Sequence, residues 1–155
     1  MAVFAAAEAL EMAIEIEEHG AAFYRAAAEK SDDAQVRDLF EELVEQERAH
    51  RRVFEKMAET VQAVSEPSES DIGDYASFLE VALDHAVFSG PEKALRMAEE
   101  ADDRDGALRA AMGFEKDTML FYYDLREMVD EKDRETISDI IREEKQHLRR
   151  LASMA

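Results

Sequence analysis

The chain has 155 residues, no cysteine, and 38 acidic against 19 basic residues, for a net charge of −19. Disulfides, thiolate metal sites and cysteine nucleophiles are excluded, and nucleic acid and anionic membrane are poor partners for so acidic a surface. With 46% hydrophobic residues, five Gly and two Pro, the composition favours helix and a single domain over residues 1–155 with a proper core.

The first predicted helix runs from about Val3 to Lys30. It carries Glu8 and Glu11 early and no basic leader, unlike a secretory signal. Ser31-Asp32-Asp33 supplies a turn and an N-cap. A second helix covers about Asp33 to Val64 and ends in the polar stretch Ser65 to Asp71, where Pro67 stops any helix. A shorter helix is predicted at about Asp74 to Phe88, and Ser89-Gly90-Pro91-Glu92 opens another at about Glu92 to Glu100. The last two long helices run from about Asp103 to Asp130 and Asp133 to Ser153. No run of about 18 apolar residues occurs, so no membrane span is expected. With the absence of cysteine, this fits a cytoplasmic location.

Two short-turn hairpins joined by a link of roughly 40 residues are the signature of an all-α, ferritin-like four-helix bundle with one long crossover. A sequence pattern occurs twice on these helices. Glu17 and Glu115 are each followed by Phe-Tyr six and seven residues on, at Phe23-Tyr24 and Phe121-Tyr122. Each unit closes with Glu-x-x-His, at Glu47-Arg48-Ala49-His50 and Glu144-Lys145-Gln146-His147. The offset between copies is 98 residues at the first glutamate and 97 at the histidine, which implies a pseudo-twofold axis relating the hairpins.

Periodicity decides which glutamates face inward. Glu47 and His50 lie on the stripe Phe40, Leu43, Glu47, His50, Phe54, Met57, Val61, stepping by three and four. Comparable stripes hold Glu17 with Leu10, Ala13 or Ile14, Ala21 and Tyr24; Glu115 with Leu108, Ala111, Thr118 and Tyr122; and Glu144 with His147, Ile137, Ile140 and Leu151. Glu17 and Glu47 stand 15 residues on either side of Asp32, so an antiparallel hairpin sets them side by side, roughly 22 Å from its turn. Glu115 and Glu144 are centred in the same way on Val129-Asp130. All four carboxylates can then meet in one layer flanked by His50 and His147.

Burying four carboxylates without counter-charge costs several kcal/mol per ion. Two divalent cations cancel that charge. Oxygen-rich donors with one imidazole per metal suit iron or manganese, and zinc less well. A lone Glu-x-x-His in a chain this rich in glutamate reads as a surface pair. Two copies on apolar stripes, each with its upstream Glu-x₅-Phe-Tyr, do not.

Tyr24 and Tyr122, each seven residues past a glutamate of the set, are candidate catalytic residues: as ligand hydrogen-bond donors or oxidisable groups, or else as plain core tyrosines. Gln46 and Glu143 precede the Glu-x-x-His motifs and are placed to orient a histidine on a neighbouring helix. His19, two positions past Glu17, is expected to be exposed or at an interface rather than a ligand. His85 lies in the crossover. Asp102, Asp103 and Asp105 read as a helix start, and the eight Met as gap-fillers.

The segment Ile14-Glu15-Ile16-Glu17-Glu18-His19-Gly20-Ala21-Ala22-Phe23-Tyr24 resembles the first-helix signature of the rubrerythrin-like branch of the ferritin-like superfamily. Phe114-Glu115-Lys116-Asp117-Thr118-Met119-Leu120-Phe121-Tyr122 resembles its third-helix signature. The resemblance covers nearly the whole chain. It implies two iron ions, with manganese the alternative, held by Glu17, Glu47, His50, Glu115, Glu144 and His147, and with Glu47 and Glu144 bridging. It further implies reaction with peroxide or oxygen, most readily peroxide reduction. Full rubrerythrins carry a cysteine-ligated rubredoxin-like module; here electrons must come from an external donor protein or small reductant. The additional glutamate that rubrerythrins carry three residues before the third-helix ligand is Met112 here.

The competing readings are ferroxidation with iron sequestration or storage, substrate hydroxylation by oxygen, and an inert helical interaction module. The resemblance and the Ala5-Ala6-Ala7 start point to a homodimer.

Overall fold

The computed structural model describes residues 2–62 and 91–155 of the chain. Among them are five helices and no strand: α1 (Ala2–Lys30), α2 (Ala34–Gln62), α3 (Pro91–Glu100), α4 (Arg104–Met128) and α5 (Glu131–Met154). The predicted helix at about Asp74 to Phe88, the break before it and His85 lie outside the described residues.

Three aspartates start α2, α4 and α5. Asp33 Oδ1 accepts from the backbone N–H groups of Gln35 (2.9 Å) and Val36 (3.2 Å). Asp103 Oδ1 accepts from Gly106 at 2.7 Å, and Asp130 Oδ1 from Asp133 at 3.0 Å. Each satisfies N–H groups that a helix start leaves unpaired. The cap at Asp130 moves the start of α5 to Glu131, two residues before the predicted Asp133. Val129 is extended, so α4 ends at Met128 rather than Asp130.

α1 packs against α2 and α4, and α5 against α4 and α2, which closes a ring of four helices. α3 lies against α1 and, more lightly, α4. Lys30 Nζ, at the end of α1, donates to the carbonyl oxygens of Glu99 (2.6 Å) and Ala101 (2.8 Å), capping the C-terminus of α3 where a cation is favoured. One residue group further on, Arg104 Nε donates to Asp33 Oδ2 at 2.8 Å. α4 therefore begins beside the α1–α2 turn, whereas α2 ends at the opposite end of the bundle. α2 and α4 are thus parallel, and every neighbouring pair in the ring is antiparallel.

The core divides into two apolar clusters. One, nearer the α1–α2 turn, is built on Phe23, Tyr24, Phe40, Leu43, Leu108 and Phe114. The other, nearer the α4–α5 turn, is built on Leu10, Phe54, Tyr122, Leu125, Ile137 and Ile140. Between them lies a charged layer.

Candidate metal centre

That layer consists of Glu17, Glu47, His50, Glu115, Glu144 and His147, each at most 3% exposed. All four helices of the ring contribute. Two sets of ligand atoms form, each with all its members within 4.8 Å of one another: Glu17, Glu47, His50 and Glu144; and Glu47, Glu115, Glu144 and His147. Each set has three carboxylates and one imidazole, and Glu47 and Glu144 belong to both. The sequence offset reappears as geometry, since the pseudo-twofold exchanges Glu17 with Glu115 and His50 with His147.

Both histidines turn Nδ1 inward. His50 Nδ1 lies 3.0 Å from Glu144 Oε1 and 3.7 Å from Glu17 Oε2. His147 Nδ1 lies 2.8 Å from Glu144 Oε2, 3.6 Å from Glu47 Oε1 and 3.7 Å from Glu115 Oε1. The rings stack with centroids 5.7 Å apart and planes 21° from parallel. Their outer nitrogens meet the residues that precede the Glu-x-x-His motifs on the facing helix. His50 Nε2 contacts Glu143 Oε2 at 2.6 Å, and His147 Nε2 contacts Gln46 Oε1.

The tyrosines close the opposite side. Tyr24 on α1 donates to Glu115 Oε1 on α4, and Tyr122 on α4 donates to Glu17 Oε1 on α1. Both are fully buried.

This geometry agrees with the outcome of comparison with known proteins. The model of the rubrerythrin family matches residues 8–155. The chain belongs to the rubrerythrin family. No curated protein and no solved structure matches it.

In this rubrerythrin-family chain the electrostatics of the layer are those of four crowded, buried carboxylates facing two imidazoles. Burial, then the neighbouring Glu144 charge, pushes the Glu17 carboxyl up. Burial drives Glu47 well above the usual carboxylate range, with Glu17, Glu144 and Glu115 adding to it, and burial with Glu144 does the same to Glu115. Glu144 is the exception. Burial works to raise it, but contacts from His147 and His50 hold it well below the usual range. Burial works to lower the histidines, yet Glu144 and Glu17 push His50 up to about 12, and Glu115 and Glu144 push His147 up to about 9. Burial first, then the adjacent glutamates, raises both tyrosine hydroxyls well above their ordinary value, so they stay neutral donors.

The donor set fits divalent metal ions. Four buried carboxylate oxygens have no hydrogen-bond partner: Glu17 Oε2, Glu115 Oε2 and both oxygens of Glu47. A buried acceptor left in that state is costly, and one cation in each set would give all four a partner. Oxygen-rich donors with one imidazole each suit iron or manganese.

Gly20 has no counterpart in the motif reading. A Cβ there would lie 2.7 Å from Glu47 Oε2 and 2.7 Å from the Phe114 ring. The bare backbone leaves room for the shared carboxylate one turn after Glu17. A glycine inside an otherwise unbroken helical pattern was the available signal. Also unanticipated is the support behind Gln46. Its Nε2 donates to Glu42 Oε1 at 3.2 Å, and Arg150 grips the same carboxylate with two N–H groups at 2.8 and 2.6 Å.

His19 is a correction. It is 8% exposed and buried within the chain, not on an exposed face, and its Nδ1 has no hydrogen-bond partner. The reason is packing: α1 is covered by α2, α3 and α4, so it buries a second face alongside the one bearing Glu17. Met112 is partly buried against the cluster nearer the α1–α2 turn.

Proposed function

We propose that the chain is a non-haem di-iron protein that reduces peroxide to water with electrons from an external donor. The observation that carries this is the pair of overlapping three-carboxylate, one-imidazole sets, within a chain of the rubrerythrin family. One ion would be held by Glu17, Glu47, His50 and Glu144, the other by Glu47, Glu115, Glu144 and His147. Glu47 and Glu144 are common to both sets and would bridge. Four carboxylates balance two divalent cations.

Iron would supply two one-electron equivalents, the number needed with two protons to convert one peroxide into two waters. The protein's part is placement and exclusion. Tyr24 and Tyr122 fix the rotation of Glu115 and Glu17 by donating to one oxygen of each, which leaves the other oxygen for metal. Glu143 and Gln46 accept from the histidine Nε2–H groups, so that Nδ1, on losing its proton to metal binding, would offer its lone pair to an ion among the carboxylates. The apolar clusters on both sides keep bulk water from the layer.

Met112 favours a second reading, ferroxidation. With it, three residues before Glu115, the set contains six protein ligands and no additional carboxylate. Anaerobic Fe(II) titration followed by rapid mixing with peroxide and, separately, oxygen tests the two. Two irons per chain that react faster with peroxide support the peroxidase. Faster reaction with oxygen and continued iron uptake support the ferroxidase. Absence of stoichiometric binding removes both.

A further inference from the structure

The pseudo-twofold is broken at the pair of positions that meet the outer nitrogens of the two histidines. Gln46 and Glu143 are equivalents, 97 residues apart, each one residue before the glutamate of a Glu-x-x-His. Each meets the outer nitrogen of a histidine across the α2–α5 face. His147 Nε2 meets a neutral amide oxygen, Gln46 Oε1, whereas His50 Nε2 meets a carboxylate, Glu143 Oε2, at 2.6 Å.

The amide is not free to turn over. Gln46 Nε2 is committed to Glu42 Oε1, and Glu42 is clamped by Arg150. The oxygen must therefore face His147, and on both sides Nε2 is the nitrogen that keeps its hydrogen when Nδ1 gives up its own to bind an ion. An imidazole whose N–H donates to a carboxylate has more electron density on its other nitrogen than one donating to an amide. It is the better metal donor and better supports positive charge on the metal. The two ion positions are otherwise alike in composition, with three carboxylates and one imidazole each.

We propose that Glu143 and Gln46 make the two metal positions inequivalent, with the ion at Glu17, Glu47, His50 and Glu144 bound more tightly than the ion at Glu47, Glu115, Glu144 and His147. This rests on the dinuclear reading above. Glu143 and Gln46 are positioning residues that act through the histidines. The Glu143 side chain is 53% exposed, so solvent weakens its field, and the difference falls at the lower end of the roughly 10- to 100-fold range of such outer partners.

The test is anaerobic Co(II) titration of the metal-free full chain, followed by visible absorption and calorimetry. The wild type takes up two ions in steps separated by roughly tenfold in affinity. Glu143→Gln weakens the first step and brings the two together. Gln46→Glu strengthens the second and also brings them together. The double swap, Glu143→Gln with Gln46→Glu, restores the separation. Two ions of equal affinity in the wild type, or a separation unchanged in both single variants, would overturn the inference and leave the dinuclear reading standing. No Co(II) uptake by the wild type would remove the dinuclear reading itself, so the two failures are distinct.

Discussion

Tyr24 and Glu115 are joined across the α1–α4 interface by a buried hydrogen bond from the phenol to Oε1. Tyr122 and Glu17 repeat the bond in the reverse direction. Tyr24→Phe removes the donor and leaves one more acceptor of the buried glutamate unpaired. The metal-free protein is expected to lose about 1–3 kcal/mol in urea unfolding. Unchanged stability would show that the phenol does not hold Glu115.

Glu47 is the shared carboxylate with both oxygens unpartnered. Its charge is a liability to the metal-free fold, and removing it is expected to help. Glu47→Gln raises the melting temperature of the chelator-treated protein by a few degrees, on the order of 1 kcal/mol. It also abolishes the rise in melting temperature that Fe(II) or Co(II) gives the wild type. A variant that is destabilised without metal would contradict the anion-cluster account.

The pH dependence has a definite sign. His147 and His50 have folded values near 9 and 12, above the ordinary histidine value, so their contribution is full below about pH 6.5 and falls as pH rises, through about 9 for His147 and about 12 for His50. The raised Glu17, Glu47 and Glu115 act in the same direction, because the protonated form they favour is lost as pH rises above the ordinary glutamate range. Glu144 works the other way in acid: its contribution is present above the ordinary value and lost as pH falls through its depressed one. The metal-free protein should thus melt at lower temperature at pH 9 than at pH 6. Metal binding must displace these protons, so affinity rises with pH and uptake releases protons. Thermal melts with and without metal between pH 6 and 8.5 should show the gap widening. A constant gap would oppose the prediction.

Two glycines offer a matched pair. A Cβ at Gly20 meets Glu47 Oε2 and Phe114 at 2.7 Å, whereas one at Gly113 meets nothing within 4 Å. Both lie inside helices, where alanine is worth roughly 1 kcal/mol over glycine. Gly113→Ala is expected to stabilise by up to about that amount. Gly20→Ala is expected to destabilise by about 1–3 kcal/mol through overpacking and to weaken metal uptake by displacing Glu47. Denaturant melts of both variants settle the matter, and a stabilised Gly20→Ala would be the contrary result.

The stripes through Glu17, Glu47, Glu115 and Glu144 were legible because helical periodicity and turn symmetry are local and regular. Equal spacing from two short turns is enough to put four side chains at one height. On α1 periodicity left Ala13 or Ile14 open, and burial selects Ala13. His19 was not legible, because α1 is packed against three helices and spacing within one helix does not say how many of its faces are covered. The same holds for Arg150 behind Gln46, where two residues 104 apart in sequence are joined through Glu42. Gly20 carried a signal, a helix interruption without a break, but its meaning required knowing where Glu47 Oε2 would be.

The charged layer separates two apolar clusters that share the same four helices. A bundle built this way has its seam in the middle rather than at its ends. Without cations, amide protons near mid-helix, around Glu47 and Glu144, should exchange more readily than those beside Leu43 or Ile140. Loading the seam with metal would join two half-domains into one cooperative unit, so the ion would set how the protein unfolds as well as what it reacts with.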